Sequence, residues 1–168
     1  DYHTTMEEYF AAKKRLVDQC ERVVLNLDDA RLAGLIGSLP CPAYTCSVRS
    51  PKADFYACEI AIQPCGVQYR LASANARARI CCPMGGSFAV INSLQACAAA
   101  LLLGIDARKI KEFMPQIGPV PGRMEKIPLP ESAGFSVLID YAHTPDALEN
   151  LLRAVQSTRL RSQRIVLV

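Results

Sequence analysis

The spacing of apolar and polar positions changes along the chain, and each change marks an element. Thr5-Met6-Glu7-Glu8 is a capping box, in which the Thr5 hydroxyl caps and Glu8 reaches back. The helix it opens carries an apolar face at Met6, Tyr9, Phe10, Leu16, Val17 and Cys20. Val23 to Leu27, apolar apart from Asn26, reads as a buried strand. Asp28-Asp29 then opens a helix predicted to run to Leu39 and stop at Pro40. Tyr44 to Arg49 alternates apolar and polar, as a half-buried strand does. Asp54 to Gln63 and Val67 to Ala72 flank Pro64-Cys65-Gly66 and read as a hairpin, with Val67, Tyr69 and Leu71 inward. Cys81 to Phe88 is a turn into a long helix over Phe88 to Leu103, with Gly104 as its C-cap. Asp106 caps a further helix, Ala107 to Met114, which stops at Pro115.

Residues 115–121 hold three prolines and Gly118, the best candidate for a domain boundary, and divide the chain into 1–117 and 118–168. Beyond it the pattern predicts a βαβ unit. Strand Arg123 to Ile127 pairs with Phe135 to Asp140, a helix covers Pro145 to Ser157, and strand Arg164 to Val168 closes the unit. Val137 to Ile139 has the composition of a buried strand. Thr144 suits the N-cap, Pro145 the first helical position, and Asp146 the positive end of the helix dipole. Leu148, Leu151, Leu152 and Val155 form one helical stripe. The expected class is α/β.

Candidate chemistry gathers just past Ile139. Asp140 and His143 stand at the carboxyl end of a strand beside a helix N-terminus, where open α/β sheets bind ligands. The plain alternative is a capped βα turn with an incidental Asp and His. Lys13 falls in the middle of the first helix's apolar face. A buried amine is pushed toward its neutral form, able to act as a base or be modified; alternatively the side chain snorkels to the edge of the face. Asp28 and Asp29 read as helix caps. Gly85-Gly86 precedes a helix N-terminus, where backbone N–H groups can cradle phosphate, although paired glycines alone are weak evidence. Asn92 on its own is an exposed helix residue. The chain has no G-x-x-x-x-G-K-[ST] loop.

Composition narrows the setting. The net charge of the 168 residues is only +3, and the basic residues are scattered apart from Lys13-Lys14-Arg15 and a loose group at Arg153, Arg159, Arg161 and Arg164. No basic stripe is interleaved with exposed aromatics, which argues against nucleic-acid binding. No apolar run approaches the roughly 20 residues that span a bilayer, and no signal peptide is visible. The sequence opens at Asp1 without a methionine, as an excised or processed piece would. The eight cysteines include no C-x-x-C pair, and several lie within apolar patterns, so the expectation is reduced thiols in a cytoplasmic protein.

Two strings carry a family resemblance: Pro121-Gly122-Arg123-Met124-Glu125, and Asp140-Tyr141-Ala142-His143-Thr144-Pro145-Asp146-Ala147-Leu148. Together they resemble the Mur ligase family, and within it the members that add the third residue of the peptidoglycan stem peptide. Tyr9-Phe10-Ala11-Ala12-Lys13-Lys14-Arg15-Leu16 is similar to the family's Y-F-x-A-K-x-x-L segment, whose lysine, here Lys13, carries a carbamate that helps to hold magnesium beside the ATP γ-phosphate. Asp1-Tyr2-His3 resembles the end of D-H-L-D-Y-H-G, with Thr4 in place of the glycine and the metal-binding histidine falling before Asp1. Residues 85–103 resemble G-x-F-N-x-x-N-x-L-A-A; Asn92 matches the asparagine that contacts the adenine end of ATP, and Ala89 stands where the other asparagine belongs. Asn26-Leu27-Asp28-Asp29 resembles an N-x-D-D turn.

The resemblance implies the back half of the family's central ATPase domain, a mixed sheet with helices, followed by the first βαβ part of a Rossmann-like C-terminal domain. It implies that Arg123 clamps ATP phosphates, Asp140 accepts ribose hydroxyls and His143 lines the base pocket. The expected whole enzyme is an ATP- and Mg2+-dependent ligase joining a diamino acid to UDP-MurNAc-dipeptide through an acyl phosphate. Without the Walker A loop upstream and a D-N-P-R motif downstream, the fragment is expected to be inactive alone. The runners-up are a folylpolyglutamate synthase or cyanophycin synthetase type of ligase, and a non-catalytic nucleotide-binding module.

Overall fold

A computed structural model describes residues 4–63, 66–118, 120–159 and 162–168. The Asp1-Tyr2-His3 string, the Pro64-Cys65 turn, Pro119 and Arg161 lie outside them.

Helix α1 (Met6–Val17) begins where the capping box predicts. The Glu8 N–H donates to Thr5 Oγ1 at 3.2 Å. The Glu8 carboxylate accepts from the N–H and the hydroxyl of Thr4, at 3.0 and 2.9 Å, one residue earlier than the box requires. Those bonds hold its carboxyl below the usual range, the Thr4 hydroxyl first among them.

Five strands follow: β1 (Val23–Asn26), β2 (Ala43–Ser47), β3 (Phe55–Gln63), β4 (Gly66–Ser73) and β5 (Arg77–Cys82). They make one sheet in chain order, with β1, β2 and β3 parallel and β3, β4 and β5 antiparallel. The expected hairpin is present, and Val67, Tyr69 and Leu71 are each 1% exposed. Strand β5 has no counterpart in the sequence reading. Its first half, Arg77-Ala78-Arg79, is polar outward, and only pairing with β4 reveals Ile80 and Cys82 as core. A register shift between Cys58 and Ala61 puts Glu59 at φ 52°, and its carboxylate lies 2.7 Å from Arg70 and 3.9 Å from Arg79.

Two elements differ from expectation before the sheet closes. The helix predicted from Asp28 to Leu39 is only α2 (Ala30–Ala33). Asp29 caps it as predicted, accepting from the Arg31 and Leu32 N–H groups. Gly37 then turns the chain at φ 86°, and Leu35 is buried. Asp28 does not cap. Its carboxylate accepts from the Ser47 hydroxyl at 2.6 Å and the Val48 N–H at 2.8 Å. Ser47 Oγ in turn accepts from the Arg49 and Ser50 N–H groups, at 2.9 and 2.7 Å. One buried hydroxyl therefore ties together the loops that leave two adjacent parallel strands.

Helix α3 (Ser87–Leu102) packs across all five strands. Its buried face is Ala89, Val90, Ser93, Leu94, Cys97 and Ala98. Full burial of a side chain such as Leu94 contributes about 1.5–3 kcal/mol. Inside this layer the Tyr69 hydroxyl is 3.1 Å from Ser93 Oγ and 3.8 Å from Cys97 Sγ, so the buried phenol keeps partners. Burial raises the Tyr69 hydroxyl and the Cys82 thiol, and pushes the Cys46 thiol to about 12 and the Cys97 thiol to about 11. The seven described cysteines are free thiols. Helix α4 (Ala107–Phe113), capped by Asp106, sets Ile110 against β5, and a 3-10 turn at Met114–Gln116 buries Met114.

The last part is smaller. Strands β6 (Glu125–Ile127) and β7 (Val137–Ile139) form a two-stranded antiparallel sheet, and α5 (Pro145–Thr158) follows, with Thr144 Oγ1 accepting from the Ala147 N–H. The β6–β7 pairing and the Thr144 cap match the sequence reading. Two expectations do not hold. Val137, Leu138 and Ile139 are 37%, 37% and 48% exposed rather than buried, because a two-stranded ribbon has no second layer over it. Residues 164–168 form no strand with the described residues. No helix among the described residues is long and apolar enough to cross a membrane.

Candidate functional site

The predicted residues around β6 and β7 come together through backbone bonds. The turn before β6 needs two left-handed residues, Gly122 at φ 67° and Met124 at φ 48°. Glycine meets the first without steric cost; the second is an uncommon conformation for a side-chain-bearing residue. Three bonds hold the turn. The Gly122 N–H donates to Glu125 Oε2 at 2.7 Å, the Arg123 N–H to Val120 O at 3.0 Å, and the Met124 N–H to Asp140 Oδ2 at 2.8 Å. The Tyr141 N–H donates to Gly122 O at 2.8 Å. Asp140 and Tyr141 thus clamp the turn that presents Arg123. Asp140 Oδ1 accepts no bond among the described residues.

The side chains then stack. The Arg123 guanidinium lies 5.4 Å from the centroid of the Tyr141 ring, within cation–π range. The His143 ring meets Tyr141 edge-on, with centroids 4.8 Å apart and planes at 62°. His143 Nδ1 is 2.9 Å from Tyr141 O. A carbonyl only accepts, so Nδ1 carries the hydrogen and Nε2 of the neutral ring is an acceptor. Arg123, Tyr141 and His143 are all exposed, and α5 starts immediately beyond them. Such a group offers a cation, a carboxylate oxygen and an imidazole acceptor to one ligand.

Lys13 and Asn92 do not join this group through any hydrogen bond among the described residues. Lys13 is exposed, with Nζ 4.9 Å from the centroid of the Tyr9 ring. The buried stripe predicted for α1 is not formed: no residue of α1 is buried, and Met6, Tyr9 and Leu16 are 55%, 42% and 68% exposed. No residue of that helix is buried, so the desolvation argued for Lys13 is not supplied here. Asn92 is exposed on α3, next to buried Ser93. Gly86 is the N-cap of α3, at φ 89°, and a Cβ there would come within 2.8 Å of the Phe88 ring. Close packing therefore accounts for this glycine without a phosphate. Among the described residues no group of three or more His, Cys, Asp and Glu can hold a metal ion, so the described residues do not assemble a magnesium site.

Sequence reasoning missed Tyr141, the residue on which Arg123 and His143 both rest. The available signal was its place between two candidate polar residues at a strand end. It also missed Glu125, whose spacing from Gly122 is that of a side chain closing a turn on its own backbone.

Comparison with known proteins agrees with the resemblance. Residues 1–100 match the family described as the Mur ligase middle domain, and residues 122–168 match Mur ligase, glutamate ligase domain. The chain is 41% identical over 161 residues to the UDP-N-acetylmuramoyl-L-alanyl-D-glutamate–2,6-diaminopimelate ligase of Synechocystis sp., covering 93% of this chain and 32% of that protein. It is 37% identical over 160 residues to the ligase of that name from Trichormus variabilis, with the same coverage of 93% and 32%. A solved structure of a ligase of that name superposes with a TM-score of 0.77 at 32% identity, over 95% of this chain and 34% of the other. The chain spans about a third (32%) of the length of the curated relatives it matches. The two family matches follow one another in chain order, and the Arg123–His143 group falls inside the second, so this chain belongs to the Mur ligase family.

Proposed function

We propose that the chain is the ATP-handling part of an amide-bond ligase that joins a diamino acid to UDP-MurNAc-L-Ala-D-Glu in peptidoglycan synthesis. The observation that carries this reading is the Arg123–Tyr141–His143 stack clamped to Asp140, in a chain 41% identical to a ligase named for that reaction. In this reading Arg123 meets the ATP phosphates as a fixed cation. Asp140 uses Oδ2 to hold the turn and Oδ1 to accept a ribose hydroxyl. His143 Nε2 faces an exocyclic amine of the base, and Asn92 meets the same end of the nucleotide from α3. Domains 1–117 and 118–168 divide at the proline-rich stretch, which lies between the two family matches.

ATP supplies the phosphoryl group that activates the substrate carboxylate as an acyl phosphate. This chain's contribution is to orient the nucleotide and balance charge as it develops. Lys13 is proposed to carry a carbamate in the whole protein. Magnesium then needs donors beyond the described residues. The whole enzyme is proposed to act in the cytoplasm, a reducing compartment in which free thiols persist.

The test is on the full-length protein. Incubated with UDP-MurNAc-L-Ala-D-Glu, ATP, Mg2+ and diaminopimelate or lysine, it is expected to form the tripeptide product by mass spectrometry, with release of phosphate. After carbon-13 bicarbonate labelling, the same preparation is expected to show a carbamate signal that Lys13→Ala abolishes. Residues 1–168 alone are expected to release no phosphate. Absence of product with both diamino acids overturns the reaction, and substrate-dependent phosphate release by residues 1–168 overturns the claim that they are inactive alone.

A further inference from the structure

We propose that Tyr141 is a positioning residue for Arg123, acting through its ring face; this rests on the reading of Arg123 as the phosphate clamp. Arginine carries a long side chain with several rotatable bonds, and an exposed one samples many rotamers. Among the described residues, Arg123 donates no side-chain hydrogen bond and makes no ion pair. The contact that the structure gives its guanidinium is the Tyr141 ring, at 5.4 Å.

Tyr141 is itself held by three contacts, two of its backbone and one of its ring. Its backbone N–H bonds to Gly122 O, the carbonyl just ahead of Arg123, at 2.8 Å. Its carbonyl bonds to His143 Nδ1 at 2.9 Å. Its ring meets the His143 ring edge-on, with centroids 4.8 Å apart. The turn that carries Arg123 is thus tied to the residue whose ring lies under the guanidinium. A cation held over the ring keeps its N–H groups, which make no hydrogen bond among the described residues, available to a phosphate. The ring's negative face does this work, and the phenolic hydroxyl is not required. Tyr141 is 65% exposed, so its substitution removes no core packing.

The prediction separates face from hydroxyl and positioning from fold. In the full-length ligase, Tyr141→Leu is expected to raise KM for ATP roughly two- to fivefold, the factor an exposed cation–π contact is worth, with kcat nearly unchanged. Tyr141→Phe is expected to recover most of that loss. In an Arg123→Ala background, Tyr141→Leu is expected to add nothing, because the group it positions is gone. Thermal unfolding midpoints recorded in parallel are expected to match across the Tyr141 variants. Equal losses in Tyr141→Phe and Tyr141→Leu, or full additivity with Arg123→Ala, overturn the proposal. A normal KM for ATP in Arg123→Ala overturns instead the reading of Arg123 on which the proposal rests, so the two failures are distinguishable.

Discussion

The two parts of this molecule solve different problems. Residues 4–117 build a five-stranded sheet under α3 and seal a core that holds Tyr69, Ile80 and Leu94 at 1% exposure or less. In residues 120–168 the one buried apolar side chain among those described is Ala154, and the strand β7 faces are open. Yet the tightest cluster of candidate functional side chains lies in the second part. There the geometry comes from hydrogen bonds and ring contacts around one turn, not from packing. Burial and site geometry are separable here: the first part is specified by what it hides, the second by which polar groups it pairs.

The largest expected difference is in core deletion. Leu94→Ala is expected to cost about 2–5 kcal/mol, whereas Leu138→Ala on β7 costs about 0.5 kcal/mol or less, measured by denaturant unfolding of the full-length protein. A loss at Leu138 as large as at Leu94 breaks the contrast, and means that the rest of the whole protein covers β7.

The next effect is on the buried Ser47 link between loops. Ser47→Ala removes the donor to Asp28 and the acceptor for two N–H groups, and is expected to cost about 1–3 kcal/mol by the same measurement. Full retention of stability shows that the β1 and β2 loops are held by something other than this hydroxyl.

The smallest effect at neutral pH is titration of the buried thiols, which lie only in the first part, since no cysteine follows Cys97. Burial raises Cys46 from 9.0 to about 12. The folded state therefore disfavours the thiolate, and its stabilisation is complete below pH 9 and is lost as pH rises toward 12. Between pH 8 and about pH 10.5 the full-length wild type is expected to lose stability relative to Cys46→Ala in denaturant unfolding. A constant difference over that range refutes the assignment.

Much of this was legible locally. Thr5, Asp29, Asp106 and Thr144 cap the helices they precede, because a cap is a contact between residues two or three apart. Val67, Tyr69 and Leu71 face inward because a strand alternates. Arg123, Asp140 and His143 are candidates from their strings, and the structure brings them to one turn. Asp28 was misread as a cap, because its partner Ser47 is 19 residues away and becomes a neighbour only when β1 and β2 pair. Strand β5 was missed because its outward arginines mask the period until β4 supplies the pairing. Lys13 was assigned to a buried face because an apolar stripe predicts burial only where something packs on it.

The sequence by itself determined the family, the α/β class and the helix starts, and it singled out Arg123, Asp140 and His143 as candidates. Those rest on short-range bonds and on strings that few other arrangements carry. Tertiary structure decided which apolar faces are covered, that Asp28 bonds to Ser47, and that Tyr141 stands between Arg123 and His143. The physical reason is one of range. Caps and alternation are settled within a turn or a strand, whereas burial and ring stacking depend on which distant segments the chain brings to the same place.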